Sequence, residues 1–372
     1  MRIGIDARSL SRELTGIGYY LLNILKEIDC INEGHEFYLY SDFDFEIPFK
    51  SKFWHKRFIT SRPRLMGALW LYTTCTYLAL KDKIEVFWAP WPLLPLHLPI
   101  RQVLTVHDFT WKYHPDTMDL TQKLLYFFLG DASIHRASVV FAVSQSTMND
   151  VIKIVPRDRQ KIFLTYNGLN SSFYSVDKVN SSRVISQKFS NNQPYILNVG
   201  TIEPRKNISA LLKAFKIIKD KYHFPHRLLI AGGKGWKNSG IYEQYKSLGL
   251  EDDVQFLGYV EDGLMPHLYA AADLFVFPAL YEGFGFPVLE AMACGCPVVT
   301  SGVSSMPEVV SDAGELVDPL DINDIVRGIV KVLSNQEIKD EFIKRGLERS
   351  KQFRWGDTVR IIYDCLTERK KS

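Results

Sequence analysis

Short apolar runs alternate with amphipathic segments along most of this 372-residue chain. The pattern is typical of α/β units, in which each strand of a parallel sheet is followed by a covering helix. A first series of runs predicts strands at Arg2–Ile5, Phe37–Tyr40, Val86–Ala89, Val103–Val106, Val139–Val143 and Ile162–Thr165. A second series predicts strands at Tyr195–Val199, Arg227–Ala231, Val254–Leu257, Leu274–Phe277 and Pro297–Thr300. The chain is too long for one ordinary core, so we predict two doubly wound domains.

A polar stretch separates the two series. Residues 171–193 are rich in Ser and Asn and have little apolar periodicity, which predicts a linker. We therefore predict an N-terminal domain at residues 1–180, a C-terminal domain at 181–352 and a closing helix at 353–372. Such domains are expected to face a shared cleft at the carboxyl ends of their strands, where ligands of these folds bind.

Two cations precede a predicted helix in the second domain. Arg205 and Lys206 end the segment VGTIEPRKN, just before the helix expected at 208–220. Positive charge is normally unfavourable at a helix N-terminus, so this pair favours a binding site for a polyanion such as a diphosphate. The nearby loop AGGKGW lacks Walker A spacing, and its Lys234 is either a further phosphate contact or an ordinary loop lysine.

A glycine loop and two carboxylates follow the strand Leu274–Phe277. The loop EGFGF contributes Glu282, Gly283, Phe284 and Gly285. Its glycines allow backbone amides to approach a ligand, and the helix that follows attracts anions at its N-terminus. Glu290 lies eight residues after Glu282, so the pair fits a ligand with both hydroxyl and phosphate groups. The alternative for Glu290 is that it only complements the helix dipole.

The first domain carries its own candidates. Gly16 and Gly18 open a helix after the first strand, but Leu21 occupies the third glycine position of the dinucleotide fingerprint. The incomplete fingerprint argues against a dehydrogenase. It is still compatible with a loop whose amides approach a phosphate or a sugar. His107 follows a strand directly, which favours a ligand contact at the sheet edge over a core position. The D-x-D motif at residues 42–44 has no second acidic cluster nearby, so no metal site is predicted.

Charge is unevenly distributed. Lys and Arg number 45 against 42 Asp and Glu, yet no acidic residue occurs between Ile47 and Leu80. That region carries a basic patch with an interfacial aromatic residue, formed by Lys50, Lys52, Trp54, Lys56, Arg57, Arg62 and Arg64. The patch is predicted either to dock on anionic lipid or to be a basic surface loop. No nucleic-acid-reading motif accompanies it.

Five scattered cysteines fit a reducing cytosol, and no apolar run reaches the roughly 20 residues that span a membrane.

The chain contains, in this order, the segments TGIGYY, VHD, VSQST, YNG, VGTIEPRKN, AGGKGW, FLGYV, Glu282-x7-Glu290 and SSMPEV. Together these segments resemble the motifs of glycosyltransferase family 4. The match runs from about residue 1 to 320. The resemblance implies a retaining enzyme with the GT-B fold: two Rossmann-like domains, with the last helix crossing back to the first. It also implies that the nucleotide sugar binds mainly to the second domain and the acceptor to the first.

The resemblance also implies residue roles. Arg205 and Lys206 would stabilise the departing diphosphate, Glu282 would contact the donor sugar and Glu290 would hold the ribose hydroxyls. His107 would contact the sugar near its 6-hydroxyl, and the two glycines at 16 and 18 would close over the donor. The two cations can replace a metal, so no cofactor is expected. We assign no general base, because the family's proposed front-face route has the leaving phosphate take the acceptor's proton. Double displacement through a protein nucleophile stays open.

The VGTxEPRKN form is similar to that of bacterial members that build O-antigen and capsule polysaccharides, many from GDP-mannose. We therefore expect a mannosyltransferase that acts on a lipid-diphosphate-linked glycan at the cytoplasmic face of the inner membrane. Other enzymes of polysaccharide synthesis are candidate partners, and nucleic acid is not. Rhamnosyl, glucosyl or N-acetylglucosaminyl transfer stays open. So do a nucleotide-sugar 2-epimerase and an inactive subunit that binds nucleotide sugars.

Overall fold

The computed structural model describes residues 1–368 apart from 12, 13, 15, 48, 50, 61–66, 119, 155–160, 191, 192 and 236. The chain divides into two compact units. The first comprises Met1–Tyr113, Asp119–Gly168 and Arg354–Ser372, and the second comprises His114–Met118 and Leu169–Phe353. The crossing between units after Gly168 comes earlier than the position between residues 180 and 181 expected from the sequence.

Over the described residues, the first unit contains a parallel sheet of seven strands. These are β1 (Arg2–Asp6), β2 (Glu36–Ser41), β3 (Trp54–Phe58), β4 (Val86–Ala89), β5 (Arg101–Val106), β6 (Val139–Ala142) and β7 (Ile162–Leu164). Their order is β3-β2-β1-β4-β5-β6-β7. The order therefore reverses between β1 and β4, the position at which sheets of this kind bind ligands.

Helices connect these strands and cover the sheet. They are α1 (Gly16–Ile31), α2 (Gly67–Trp70), α3 (Thr76–Lys81), α4 (Thr110–Tyr113), α5 (Leu120–Leu125), α6 (Asp131–Arg136) and α7 (Gln145–Ile154). Two π-helical turns, Leu71–Cys75 and Tyr126–Gly130, join α2 to α3 and α5 to α6, and a short 3-10 turn lies at Arg8–Leu10. The 3-10 turn Pro115–Thr117 belongs to the second unit. Apolar residues recur at helical spacing in the sequence at 19–28, 66–80 and 120–137, and the described residues of these segments lie largely within α1, α2–α3 and α5–α6.

The strand β3 was not predicted from the sequence. It forms one edge of the sheet and pairs with β2 in parallel, with Phe37 opposite Trp54. Its sequence, WHKRF, carries charged side chains, which edge strands use to discourage pairing with other chains. Because its sequence is charged, the strand does not stand out as an apolar run.

The assignment of Trp54 to a membrane-facing surface is wrong. Its side chain is 8% exposed, stacks on Phe37 at 4.7 Å between ring centroids and donates from Nε1 to Asp29 at 2.7 Å. Lys56 and Arg57 follow Trp54 along β3 and form ion pairs with Asp44 and Asp82.

Of the other basic residues in the patch, Lys52 is exposed. Lys50, Arg62 and Arg64 lie outside the described residues.

The second unit contains a parallel sheet of six strands in the part of the chain that is described. They are β8 (Tyr195–Val199), β9 (Arg227–Ala231), β10 (Val254–Gly258), β11 (Leu274–Phe277), β12 (Val298–Ser301) and β13 (Glu315–Val317), in the order β10-β9-β8-β11-β12-β13. The order reverses between β8 and β11. The central strands are buried almost completely, as in sheets covered on both faces.

The helices of this unit are α8 (Lys178–Ile185), α9 (Ile208–Ile217), α10 (Ser239–Ser247), α11 (Met265–Ala270), α12 (Phe286–Ala293), α13 (Met306–Val310), α14 (Ile322–Leu333) and α15 (Gln336–Ser350). Short 3-10 turns lie at Ser171–Tyr174 and Pro204–Lys206, and π-helical turns at Ser186–Ser190 and Ile218–Tyr222. The predicted linker at residues 171–193 is therefore wrong over most of its length. Asp177 caps α8 by accepting from the Asn180 amide at 2.7 Å, a short-range bond that periodicity does not reveal.

The last helix, α16 (Trp355–Thr367), belongs to the first unit, as the fold class predicted. The Tyr363 hydroxyl accepts from the Glu33 amide at 2.9 Å, and Thr358 donates to the carbonyl of Tyr166. A Cβ on Gly168 would lie 2.2 Å from the Trp355 nitrogen, so the chain passes under the start of α16 only because residue 168 is glycine.

Candidate functional site

Three charged side chains meet at the strand-order reversal of the second unit. Arg205 and Lys206 follow β8, and Glu282 follows β11, the neighbour of β8 across the reversal. The Lys206 ammonium and Arg205 Nη1 both contact Glu282 Oε1, the latter at 3.0 Å. Arg205 Nη2 also contacts Glu203 Oε1 at 2.7 Å. Two cations and two carboxylates are therefore gathered in one place, where α/β sheets bind ligands.

Backbone contacts fix the two loops that carry these groups. The Leu280 amide donates to the Arg205 carbonyl at 2.9 Å, and Arg205 Nη1 donates to the Tyr281 carbonyl at 2.8 Å. Asn207 has a left-handed backbone (φ 58°), and its side-chain amide donates to the carbonyls of Pro278 and Pro319 at 3.0 and 2.7 Å. These bonds hold the loops after β8 and β11 against each other, so the cations and the carboxylate meet.

The three central side chains are nearly buried, with 14, 11 and 12% of Arg205, Lys206 and Glu282 exposed. Burial alone would raise the pKa of Glu282, but Arg205 and Lys206 outweigh it and hold the pKa below its ordinary value. Burial lowers the pKa of Lys206, and Glu282 opposes that change. The Lys206 ammonium also lies 5.1 Å from the centroid of the Phe277 ring, a favourable cation–π distance.

The loop before α12 contains the predicted residues Gly283, Phe284 and Gly285. Gly285 has φ 102°, a backbone conformation that favours glycine, and a Cβ there would lie 2.3 Å from Met306 Cε, so that side chain would have to move. Phe284 is 4% exposed and packs on Phe353 at 5.6 Å. A ligand contact from Phe284 would therefore come from its backbone.

Glu290 lies on the second turn of α12, which begins at Phe286. This position weakens the alternative in which Glu290 only complements the helix dipole, because that effect falls off within the first turn. Its Oε2 accepts from the Tyr269 hydroxyl at 2.8 Å. Burial raises the pKa of Glu290 to about 7, although the bond from Tyr269 acts in the opposite direction.

Lys234 lies in the loop after β9, beside the loop that carries the cations. Ile202 pairs in parallel with Lys234, and the Ile202 amide donates to the Gly233 carbonyl at 2.9 Å. The Lys234 ammonium lies 5.7 Å from the centroid of the Tyr242 ring. A Cβ on Gly232 would lie 2.0 Å from the Gly200 carbonyl oxygen, so the two loops touch through backbone.

The first unit holds the other predicted residues. His107 follows β5, and its Nε2 lies 2.8 Å from the Pro90 carbonyl, which follows β4. A carbonyl only accepts, so Nε2 carries the proton. Burial lowers the pKa of His107, which keeps the ring neutral and leaves Nδ1 as an acceptor. Tyr20 on α1 packs edge-on against the ring at 4.7 Å, which places His107 beside the start of α1.

The two glycines at the start of α1 differ. A Cβ on Gly18 would lie 2.8 Å from Leu14 Cδ2 and 3.0 Å from the Ser9 carbonyl, so local packing already favours glycine there. A Cβ on Gly16 would meet nothing within 4 Å. Open space at Gly16 is compatible with the approach of a ligand.

Several residues that support the second-unit site were not singled out from the sequence. They are Glu203, which holds Arg205, Tyr269, which holds Glu290, and Ser304 and Ser305, which bind the carbonyls of the loop before α12. The motif SSMPEV marked the two serines without giving them a role. Within the described part of the chain, no group of three His, Cys, Asp or Glu side chains is arranged to hold a metal ion. None of the described helices combines the length and apolar character that a membrane span requires.

Comparisons with known proteins agree with this architecture. Residues 14–173 match the family described as Glycosyltransferase Family 4, and residues 182–349 match Glycosyl transferases group 1. O-antigen chain mannosyltransferase B of Escherichia coli is 33% identical over 373 residues, which cover 95% of this chain and 96% of that protein.

Solved structures of low identity share the fold. A sucrose-phosphate synthase from Thermosynechococcus elongatus superposes with a TM-score of 0.80 at 20% identity, covering 98% of this chain and 97% of that one. Anabaena HepE in complex with UDP-glucose superposes with a TM-score of 0.78 at 19% identity, covering 99% of both chains. The two Rossmann-like units are those of the GT-B fold, and the chain belongs to glycosyltransferase family 4.

Proposed function

We propose that the protein transfers mannose from GDP-mannose to a lipid-diphosphate-linked glycan in the synthesis of a cell-surface polysaccharide, with retention of anomeric configuration. The observation that carries this proposal is the meeting of Arg205, Lys206 and Glu282 at the strand-order reversal of the second unit. The near full-length relative named as an O-antigen mannosyltransferase supports the choice of sugar and product.

The cations suit the chemistry of the leaving group. Breaking the anomeric bond builds negative charge on the diphosphate and positive charge on the sugar ring. Arg205 and Lys206 already lie together and are nearly buried, so a diphosphate that replaces Glu282 as their partner meets both positive charges in place. A diphosphate that binds there competes with Glu282 for both cations. The carboxylate then turns from the cations to the hydroxyl groups of the donor sugar.

Glu290 supports the nucleoside end of the donor. A carboxylate accepts hydrogen bonds from vicinal hydroxyls, and the Tyr269 hydroxyl fixes the orientation of this one. In the first unit, neutral His107 offers Nδ1 as an acceptor for a sugar hydroxyl. Gly16, Gly18 and Lys234 complete the proposed donor contacts.

We also propose that transfer requires neither a metal ion nor a protein general base. The two cations supply positive charge at the leaving group, and the leaving phosphate accepts the proton of the acceptor hydroxyl. Activity should then persist in EDTA, with the same kcat as in added Mg²⁺. A loss of activity in EDTA that Mg²⁺ restores would contradict metal independence.

Docking of the first unit on the cytoplasmic face of the inner membrane is a further part of the proposal. Exposed Lys52 lies near β3, and Phe58 and Ile59 are 42 and 48% exposed at the end of that strand. The Ile59 carbonyl accepts from Trp70 at 3.0 Å, which ties this end to the helical segment carrying Tyr77, itself 61% exposed. Lys56 Nζ lies 5.5 Å from the centroid of the Phe58 ring, and a cation beside an exposed aromatic side chain fits an anionic lipid surface.

Vesicle sedimentation tests the docking. The Lys52→Glu, Phe58→Ser variant should bind less to vesicles of 30% phosphatidylglycerol in phosphatidylcholine than the wild type does. Lys213→Glu, an exposed charge reversal in the second unit, is the control for net charge. Equal sedimentation of the patch variant and the control would contradict docking by this surface.

A donor panel tests the function as a whole. GDP-, UDP- and dTDP-sugars are offered with a polyprenyl-diphosphate-linked glycan, and the product is examined by NMR for anomeric configuration. We expect mannose transfer from GDP-mannose with an α linkage. Transfer of rhamnose, glucose or N-acetylglucosamine would replace the donor assignment. Inversion at C2 without acceptor would indicate an epimerase, and binding without turnover an inactive subunit.

A further inference from the structure

Two serines next to α13 hold the backbone of the loop that carries Glu282. Ser304 Oγ donates to the Glu282 carbonyl and accepts from the Glu282 amide at 3.1 Å. Ser305 Oγ lies 2.9 Å from the carbonyl oxygens of both Glu282 and Phe284 and shares its proton between them. Ser305 is completely buried, so water does not take over these bonds readily when the hydroxyl is removed.

These bonds set the direction of two peptide groups. In a trans peptide, the C=O of one residue and the N–H of the next point in opposite directions. The carbonyls of Glu282 and Phe284 point toward the two serines. The N–H groups of Gly283 and Gly285 therefore point away from the serines.

The helix that follows offers few amide donors of its own. Pro287 has no N–H, and the amides of Val288 and Leu289 both lie within bonding distance of the Gly285 carbonyl, at 3.1 and 3.3 Å. A ligand at the start of α12 therefore depends largely on the amides of the preceding loop. The direction of those loop amides decides how well an anion or a sugar oxygen is held.

We propose that Ser304 and Ser305 are positioning residues of the donor site. They fix the peptide groups after Glu282 and Phe284, so that the N–H groups of Gly283 and Gly285 donate to the sugar–diphosphate part of a nucleotide sugar. The serines act through the loop and do not touch the donor. This inference rests on the proposed function, because the ligand is the donor of that reaction.

The test compares Ser304→Ala and Ser305→Ala with Ser301→Ala. Ser301 is also buried and ends β12, but its hydroxyl has no hydrogen-bond partner within the described structure, so its removal costs no such bond. We expect kcat/KM for GDP-mannose to fall at least tenfold in each loop variant, with KM for the acceptor unchanged. Ser301→Ala should keep the wild-type values. Ser305→Cys, which retains a weak donor, should fall between wild type and Ser305→Ala.

Thermal unfolding of each variant separates positioning from a purely structural role. A lowered melting temperature with wild-type kcat/KM in both alanine variants would overturn the inference. If Ser305→Ala does not fold, Ser304→Ala and Ser305→Cys give the same comparison.

Calorimetric binding of GDP-mannose keeps this test separate from the test of function. If wild type transfers no sugar but binds GDP-mannose, weaker binding in Ser304→Ala than in Ser301→Ala supports the serine role while the transferase proposal fails. Equal binding by the two variants overturns the serine role. If wild type does not bind GDP-mannose at all, both proposals fail for this donor.

Discussion

The Lys206 ammonium and the Glu282 carboxylate form an ion pair in which both side chains are nearly buried, 11 and 12% exposed. The two residues are 76 positions apart in sequence and meet because β8 and β11 are neighbours in the sheet. Arg205 shares the same carboxylate oxygen at 3.0 Å. The residue proposed to contact the sugar is thus also the residue that neutralises the cations proposed to hold the diphosphate.

Acid should weaken the fold through Glu282. Because its folded-state pKa lies below the ordinary value of 4.5, its ion pairs add stability above that value, and the stability is lost as the pH falls through the folded-state pKa. Glu282→Gln should therefore show a smaller fall in the free energy of unfolding between pH 5 and pH 3 than wild type. Urea unfolding at each pH measures the slope. Glu243→Gln, at an exposed position on α10, is the control, and a wild-type slope in Glu282→Gln would contradict the account.

Donor binding should strengthen with pH through Glu290. Its pKa of about 7 means that the carboxylate, which accepts from the ribose hydroxyls, forms largely between pH 6 and pH 8. The Kd for GDP-mannose should fall by about tenfold over this range. A nucleotide sugar does not itself titrate there, since its diphosphate is esterified at both ends. Glu290→Gln should bind weakly with little change over the same range, and a wild-type pH dependence in that variant would count against the assignment.

The glycine loop after β9 provides a steric test. Gly232 has φ 146°, and a Cβ there would lie 2.0 Å from the Gly200 carbonyl, whereas a Cβ on Gly233 would meet nothing within 4 Å. Gly232→Ala should displace the loop after β8 that leads to Arg205 and lower kcat/KM for the donor by at least tenfold. Gly233→Ala should leave both activity and melting temperature near wild type. Equal effects of the two substitutions would show that the backbone contact is unimportant.

Trp54 should behave as a core residue. Trp54→Ala removes a ring that stacks on Phe37 and the bond to Asp29, so the free energy of unfolding should fall by about 3–5 kcal/mol. Trp54→Phe keeps most of the apolar contact and should cost less. Urea unfolding measures both. A Trp54→Ala variant with wild-type stability and reduced vesicle binding would restore the membrane-facing assignment.

Apolar runs located most of the two sheets, and the failures have local physical causes. The edge strand β3 (WHKRF) carries its charge at a sheet edge, where charge is favourable, so it looked like a surface loop. The short strand β13 completes the other sheet with only three residues, Glu315–Val317. The helix α8 is stabilised by its cap at Asp177 and by packing on α11, and its Ser-rich sequence shows little periodicity.

The strand pattern also predicts the position of some of the site residues. Residues in the loop after a strand, such as Arg205 and Glu282, can be placed near a sheet edge from the strand pattern alone. Strand order is a tertiary property, so the pairing of Lys206 with Glu282 could not be predicted from the spacing. The roles of Ser304 and Tyr269 depend on which loop packs against them, and no local pattern contains that information.

The central claim is that Lys206 stabilises the leaving diphosphate. Its most direct test is the single-turnover rate of mannose transfer by Lys206→Met at saturating GDP-mannose. Glu282 keeps its contact with Arg205 in this variant, so the fold should survive, as the melting temperature will verify. We expect a fall of about 10²- to 10³-fold, with a smaller fall in Lys206→Arg, which keeps the charge. A wild-type rate in Lys206→Met would contradict the account.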